Sequence, residues 1–182
     1  MSDQLMSEKR LTPMEGRVVG AVITVSDRCT SGEREDYSGP LALRLLADHG
    51  VDVAEVELVP DGIEPVQAAL RGALDAGARV IVTVGGTGVT PRDLTPEATR
   101  EFLVAELPGI SAQIVMKGLE KTPLAGLSRG LVGVTGRGED AAFIVNAPGS
   151  AGGVRDTVGV IGPLVPHILE QLGGYDGEAH QR

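Results

Sequence analysis

Asp61, Asp93 and Arg92 stand in turns rich in glycine and proline, and the most concentrated of these runs from Val80 to Ala98, VIVTVGGTGVTPRDLTPEA. Gly85, Gly86 and Gly88 can take φ > 0 without a Cβ penalty and bring bare backbone N–H groups close to an anion. With Thr87 in the same loop and Arg92 just beyond it, the stretch has the make-up of a phosphate site. Asp61, in Pro60-Asp61-Gly62, and Asp93 add two carboxylates. Mg²⁺ takes one or two carboxylates and completes its shell with substrate phosphates and water, so the pair beside a glycine loop points to a Mg²⁺–phosphate centre. Taken singly, each aspartate reads as an ordinary turn or cap residue, and GGTG reads equally well as a tight turn. His49, His167 and His180 lack ligand spacing, and Cys29 reads as a passive thiol. No nucleophile with an adjacent base is visible, so the chemistry is of a kind that needs none.

These residues need elements to hold them. Val80 to Val84 is apolar and β-branched, the pattern of a buried parallel strand, and it stops at Gly85-Gly86. Thr95-Pro96-Glu97 offers a hydroxyl at the N-cap, proline at the first helical position and an acid in the first turn, so a helix starts there. A strand end, a glycine loop and a helix start together make the place where open α/β sheets bind ligands. A first strand, Val18 to Val25, runs into Ser26-Asp27-Arg28, and Ser26 to Gly39 reads as a mobile polar loop over its carboxyl end. There Ser26 and Arg28 bind phosphate or a polar ring, or Ser26 and Asp27 merely cap the strand.

Gly39 to His49 has helical spacing and Gly50 ends it. Val51 to Val59 alternates as a strand near an edge, and its carboxyl end delivers Asp61 just before a helix from Glu64 to Ala76. The strands leading to Asp61 and Asp93 are taken as neighbours. Past a break at Glu106 to Gly109, a helix is expected over Ile110 to Glu120, then Ser128 and Arg129, then a hairpin of Leu131–Thr135 and Ala141–Val145. Asn146 to Ser150 is a polar turn, followed by a helix from Val154 to Leu172 bent at Pro163 and Pro166. The expected fold class is α/β: three layers, a mainly parallel sheet with one antiparallel strand, and helices on both faces. Residues 1–16 and 175–182 read as tails around one domain over 17–174.

With 182 residues the chain can bury a sizeable core, and with two Phe, two Tyr and no Trp that core must be Val, Leu, Ile and Ala. A net charge of −9 argues against nucleic acid as a partner. A phosphorylated small molecule is still compatible, because a few N–H groups and one or two cations hold it. One cysteine excludes an intramolecular disulfide, which makes the cytoplasm the default compartment, and no apolar run reaches the ~20 residues of a membrane helix.

The stretch GGTGVTPRDLTPEA resembles the signature of a molybdenum-cofactor biosynthesis family: Mog-type molybdopterin adenylyltransferases, MoaB-like proteins and gephyrin-type G domains. The SDR after the first strand, the P-D-[EGD] turn at Asp61, TPLAGLSR ending in Ser128-Arg129, and Asn146-Ala147-Pro148-Gly149-Ser150 are similar to further family features, and the likeness extends from Val18 to about Leu172. It implies adenylyl transfer from Mg-ATP to molybdopterin, a magnesium- and ATP-binding nucleotidyltransferase that is commonly a trimer. Asp61 and Asp93 would then be the catalytic and Mg²⁺-binding acids. Gly85, Gly86, Thr87, Gly88 and Arg92 would hold the nucleotide phosphates. Ser26, Asp27, Ser128, Arg129, Asn146, Pro148, Gly149 and Ser150 would face molybdopterin. Ala151-Gly152-Gly153 follows Ser150 where many relatives have proline, so the resemblance does not fix the geometry of that last loop. The alternative within the family is a MoaB-like protein that binds molybdopterin with little or no catalysis. A gephyrin-like scaffold role is disfavoured because the chain lacks the appended domains such scaffolds use. A dinucleotide oxidoreductase is disfavoured because no G-x-G-x-x-G follows the first strand.

Overall fold

A computed structural model describes residues 16–174, so the expectations for residues 1–15 and 175–182 lie outside the described residues. In chain order the elements are β1 (Val18–Val25), α1 (Asp27–Thr30), α2 (Ser38–Ala47), β2 (Val51–Asp52), β3 (Val56–Val59), α3 (Ile63–Asp75), β4 (Val80–Val84) and α4 (Thr95–Arg100). They continue with β5 (Ala105–Glu106), α5 (Pro108–Leu119), a 3-10 turn (Pro123–Leu127), β6 (Val132–Val134), β7 (Phe143–Ala147), α6 (Ala151–Ile161), a second 3-10 turn (Gly162–Leu164) and α7 (Val165–Leu172).

The sheet order is β2-β1-β4-β7-β6-β5, with β3 also on β1. β1 pairs in parallel with β2, β3 and β4, and β4 with β7, whereas β6 runs antiparallel to both β7 and β5. This is the expected mainly parallel sheet with one reversed strand. Period-2 alternation in β4 divides the core. Val80, Val82 and Val84 pack with Leu46, Val158 and Leu169 on one face, while Ile81 packs with Val66, Leu70 and Ala98 on the other. Every residue of β4 is buried, which explains its uninterrupted apolar run.

Several expectations change. The strand over Val51 to Val59 is two pieces. Val18 faces Val51 but Val22 faces Val56, so one extra residue enters the edge strand between them and breaks the ladder. The strands carrying Asp61 and Asp93 are not neighbours, because β1 lies between β3 and β4. The chain goes from β1 to one side and returns to the other, making a topological switch point at β1/β4. The last strand starts two residues later than expected, at Phe143, which draws Asn146 into β7. The expected break over Glu106 to Gly109 shrinks to Leu107, since Glu106 ends a two-residue strand, β5, and α5 already starts at Pro108. The long terminal helix is two helices, since Pro163 and Pro166 have no N–H to continue the ladder. Ser26 to Gly39 begins with a helical turn, α1, whose N-cap is Ser26.

Candidate active site

Register puts the carboxyl ends of four strands side by side: Val25 faces Val59, Thr24 faces Val84, and Val84 faces Ala147. The turns leaving these ends carry Asp61, Ser26-Asp27, Gly85 to Gly88, and Pro148 to Ser150. They enclose a cleft of about 410 Å³ whose lining includes Ser26, Asp27, Asp61, Gly85, Gly86, Thr87, Gly88, Asp93, Gly149 and Ser150. Thus ten of the expected site residues meet in one cleft.

The glycine loop needs its glycines for contact as much as for dihedral angles. Gly85 has φ +107°, and a Cβ there would collide with the Val25 carbonyl; Gly86 has φ +66°, and a Cβ would collide with the Thr95 hydroxyl. The Thr95 hydroxyl is not the helix cap expected of it. Leu94 is the N-cap of α4, and Thr95 Oγ1 donates to the Gly85 carbonyl at 2.9 Å, locking loop to helix. The Gly85 amide is taken by the Ala147 carbonyl at 3.0 Å, so it does not belong to the cradle as expected. Among the described residues the N–H groups of Gly86, Thr87 and Gly88 donate to no protein acceptor. Three successive free amides at a strand end can cradle an anion.

The acids surround that cradle. The Asp27 amide donates to Asp61 Oδ2 at 2.8 Å and the Asp61 amide donates to Asp27 Oδ1 at 3.0 Å, a reciprocal clasp between the β1 and β3 turns. Asp93 Oδ2 accepts from the Thr90 amide at 2.9 Å. Asp61 Oδ1 and Asp93 Oδ1 have no hydrogen-bond donor among the described residues. Burial pushes the Asp61 carboxyl above the usual carboxylate range; the bond from Asp27 opposes this, and the charges of Asp27 and Asp93 add to it. Asp27 lies below that range, chiefly through its bonds from Arg92.

Arg92, expected on the nucleotide phosphates, and Arg129, expected to face molybdopterin, are both engaged with the protein. Arg92 donates to both Asp27 oxygens at 3.0 Å and to the Asp61 carbonyl at 2.6 Å, and it is not among the lining residues of the cleft. Arg129 donates from Nε to the Gly88 carbonyl at 2.7 Å, from Nη2 to the Asp93 carbonyl at 2.6 Å, and from Nη1 to Glu97 at 2.5 Å. Its guanidinium is therefore a clamp on the loop that carries Asp93, and the Glu97 carboxyl is held below its usual range by Arg129. Asn146 does not reach the cleft either. At 2% exposure it donates to the Thr83 and Thr99 hydroxyls at 2.9 and 3.0 Å and accepts from the Leu131 amide at 3.0 Å, because the later start of β7 places it inside the sheet. Asp27 is bonded to Asp61 and Arg92 and lines the cleft, whereas Ser128 and Arg129 are not among that cleft's lining residues.

Ser128 and Pro148 line a second cavity of about 520 Å³, walled by Ile114, Leu124 and Leu127 and sharing Thr87, Gly88 and Ser150 with the cleft. Sequence reasoning missed Glu97 as partner of Arg129, Arg34 and Asp36 in the cleft wall, and Asp156 in the second cavity. Arg34 and Asp36 lie in the loop expected over the first strand's carboxyl end, and that placement is their signal; the pairing of Glu97 with Arg129 and the place of Asp156 come only from the fold.

Mg²⁺ fits the donors present. Two carboxylates, each with one unengaged oxygen, flank free amides, and no cluster of three or more His, Cys, Asp or Glu suited to a metal occurs among the described residues. A hard cation that keeps waters and takes substrate phosphates needs no more than that. Among the described residues no helix is long and apolar enough to cross a membrane.

Comparison with known proteins agrees with this architecture. Residues 21–167 match the model of a family described as a probable molybdopterin binding domain. The chain is 38% identical over 150 residues to "Molybdopterin adenylyltransferase" of Pyrococcus furiosus, covering 82% of this chain and 88% of that protein. It is 38% identical over 154 residues to "Molybdenum cofactor synthesis protein cinnamon" of Drosophila melanogaster, covering 84% of this chain and 25% of that one. It spans only 24% to 49% of the length of four larger curated relatives. A solved structure described as a putative molybdenum cofactor biosynthesis protein from Corynebacterium diphtheriae superposes with a TM-score of 0.80 at 44% identity, covering 86% of this chain and 99% of the other. By motif, topology and these matches, the chain belongs to the molybdopterin-binding family of molybdenum cofactor biosynthesis proteins.

Proposed function

We propose that this protein is a molybdopterin adenylyltransferase that transfers AMP from Mg-ATP to the terminal phosphate of molybdopterin and releases pyrophosphate. The observation that carries the reading is the coincidence of three unengaged amides at Gly86 to Gly88 with one unengaged oxygen on each of Asp61 and Asp93. In the step, a molybdopterin phosphate oxygen attacks the α-phosphorus of ATP, and the bond to the bridging oxygen of the β-phosphate breaks. The nucleophile is already an anion, so no base is needed; the demands are alignment and charge stabilisation.

In this reading the Gly86 to Gly88 amides hold phosphate oxygens, and Ser26 and Ser150 add hydroxyls at the rim. Asp61 and Asp93 would hold Mg²⁺, which when bound offsets charge on the triphosphate. What supports the cation is that Asp27, Asp61 and Asp93 line the cleft in which anionic ligands would sit, while Arg92 is already shared with Asp27. Arg92 and Arg129 act as positioning residues that fix the two acid-bearing turns.

The proposal extends to a cytoplasmic homotrimer: the trimer rests on the family resemblance, the compartment on the lone cysteine. Light scattering tests the assembly, and a monomer would remove that part. For the reaction, purified protein with molybdopterin, ATP and Mg²⁺ is assayed for adenylylated molybdopterin beside Asp61→Asn and Asp93→Asn. Product from wild type, with turnover reduced by orders of magnitude in folded variants, is the expected result. Tight molybdopterin binding without product would replace this reading with that of a binding protein, and near-normal turnover in Asp93→Asn would sink the metal role.

A further inference from the structure

The second cavity has an apolar wall and one charged pair. Asp156 on α6 is 7% exposed, and one of its carboxylate oxygens is ion-paired with Lys121; these are the two charged side chains among the lining residues. Its Oδ2 accepts no hydrogen bond among the described residues. A carboxylate held in apolar surroundings with an oxygen unengaged is costly unless a ligand supplies a donor. The cavity shares Thr87, Gly88 and Ser150 with the cleft, and two of these belong to the run of unengaged amides. The matching ligand therefore has a flat, largely apolar body, N–H donors at one end, and a phosphate arm at the other.

We propose that Asp156 reads the 2-amino-4-oxo edge of the pterin ring, accepting hydrogen bonds from the 2-amino group and N3–H while Lys121 stands beside the 4-oxo group. The assignment rests on the reading of molybdopterin as the ligand and names the residue that recognises its ring. A carboxylate accepts two parallel N–H bonds, and a ring with oxygen in place of the amino group would turn a second acceptor toward it. Asp156 is thus a specificity determinant that selects a pterin over a lumazine, its 2-oxo counterpart.

The test measures binding of 6-hydroxymethylpterin and of 6-hydroxymethyl-lumazine by quenching of ligand fluorescence, with adenylylation of molybdopterin assayed in parallel. Wild type should prefer the pterin by about 10-fold or more, and Asp156→Asn, whose amide can donate to the 2-oxo group, should bring that ratio to about one or invert it. Gly152→Leu is a second probe, since a Cβ at this cavity-lining helical position meets nothing within 4 Å and the larger side chain should narrow the cavity and weaken pterin binding without unfolding α6. An unchanged ratio in folded Asp156→Asn, no preference in wild type, or undiminished pterin binding by Gly152→Leu would each overturn the assignment. If wild type turns over normally in those cases, adenylyl transfer stands and only the role of Asp156 falls. If the ratio shifts as expected but no product forms, the role of Asp156 stands and adenylyl transfer falls.

Discussion

Replacing Arg129 by alanine separates a clamp from a ligand contact. The guanidinium makes two charge-assisted bonds to backbone carbonyls, at Gly88 and Asp93, and one ion pair with Glu97. Side-chain exposures of 36% for Arg129 and 42% for Glu97 leave the ion pair largely screened, at about 0.2–1 kcal/mol. The carbonyl bonds have a charged donor but are partly wet, and both carbonyls regain water when the side chain is cut back. Together the three interactions should be worth about 2–4 kcal/mol. For a chain of this size that is a fall in thermal midpoint of roughly 4–16 °C. Release of the loop also lets Asp93 wander, and misplacement by about 1 Å can cost a hundredfold in turnover.

Calorimetry and steady-state kinetics on wild type, Arg129→Ala and Arg129→Lys therefore make one experiment. The lysine keeps the charge beside Glu97 but cannot fork between two carbonyls, so it should fall between the other two in both stability and kcat. A midpoint within about 1 °C of wild type in Arg129→Ala, with a defect confined to KM for molybdopterin, would refute the clamp and restore the ligand contact that the family resemblance implies.

Asn146→Ala should lower stability by about 3–5 kcal/mol in a denaturant titration, because the Leu131 amide and two threonine hydroxyls lose a buried partner together. Gly85→Ala should destabilise by at least about 3 kcal/mol and abolish turnover, since its Cβ meets a backbone carbonyl that cannot swing away and φ +107° is itself strained for alanine; a folded, active variant would show that the loop relaxes. Glu97, held below its ordinary range by Arg129, contributes stability that is fully present above the unfolded-state value and is lost as pH falls through the lower folded-state value. The stability gap between wild type and Glu97→Gln should therefore close as pH falls from neutrality through and below the ordinary Glu range, and a gap that widens on acidification would contradict the pairing. For Asp61 the sign is opposite: burial raises its folded-state value, so its charge opposes folding above that value, and Asp61→Asn should raise the thermal midpoint of ligand-free protein at neutral pH while turnover collapses.

The fold class was legible because its signals are local. β4 is buried on both faces and reads as one apolar run, and the glycine loop and the Pro96-Glu97 helix start follow it without interruption. The split edge strand was not legible, since one inserted residue between β2 and β3 leaves the alternation of polarity nearly intact while it breaks the ladder. Asp61 and Asp93 were found through turn chemistry and motif, and they do reach one cleft. The arginines show the limit of such reading. Residue type says that Arg92 and Arg129 can grip a phosphate, but only tertiary placement gives Arg92 to Asp27 and Arg129 to the Gly88 and Asp93 carbonyls. Asn146 was drawn inward for a similar reason: a two-residue change of strand boundary moves a side chain from loop to core.

The cleft and the apolar cavity share Thr87, Gly88 and Ser150, so they are adjoining chambers with these residues between them. A molecule made by joining one occupant of each chamber is anchored at both ends. When one end lets go, the other keeps it nearby at an effective concentration near millimolar, and rebinding outruns escape. Such a product leaves more slowly than either substrate, so the first turnover should outpace those that follow. Departure is then the natural point at which a downstream acceptor could collect the product directly, without its passing through free solution.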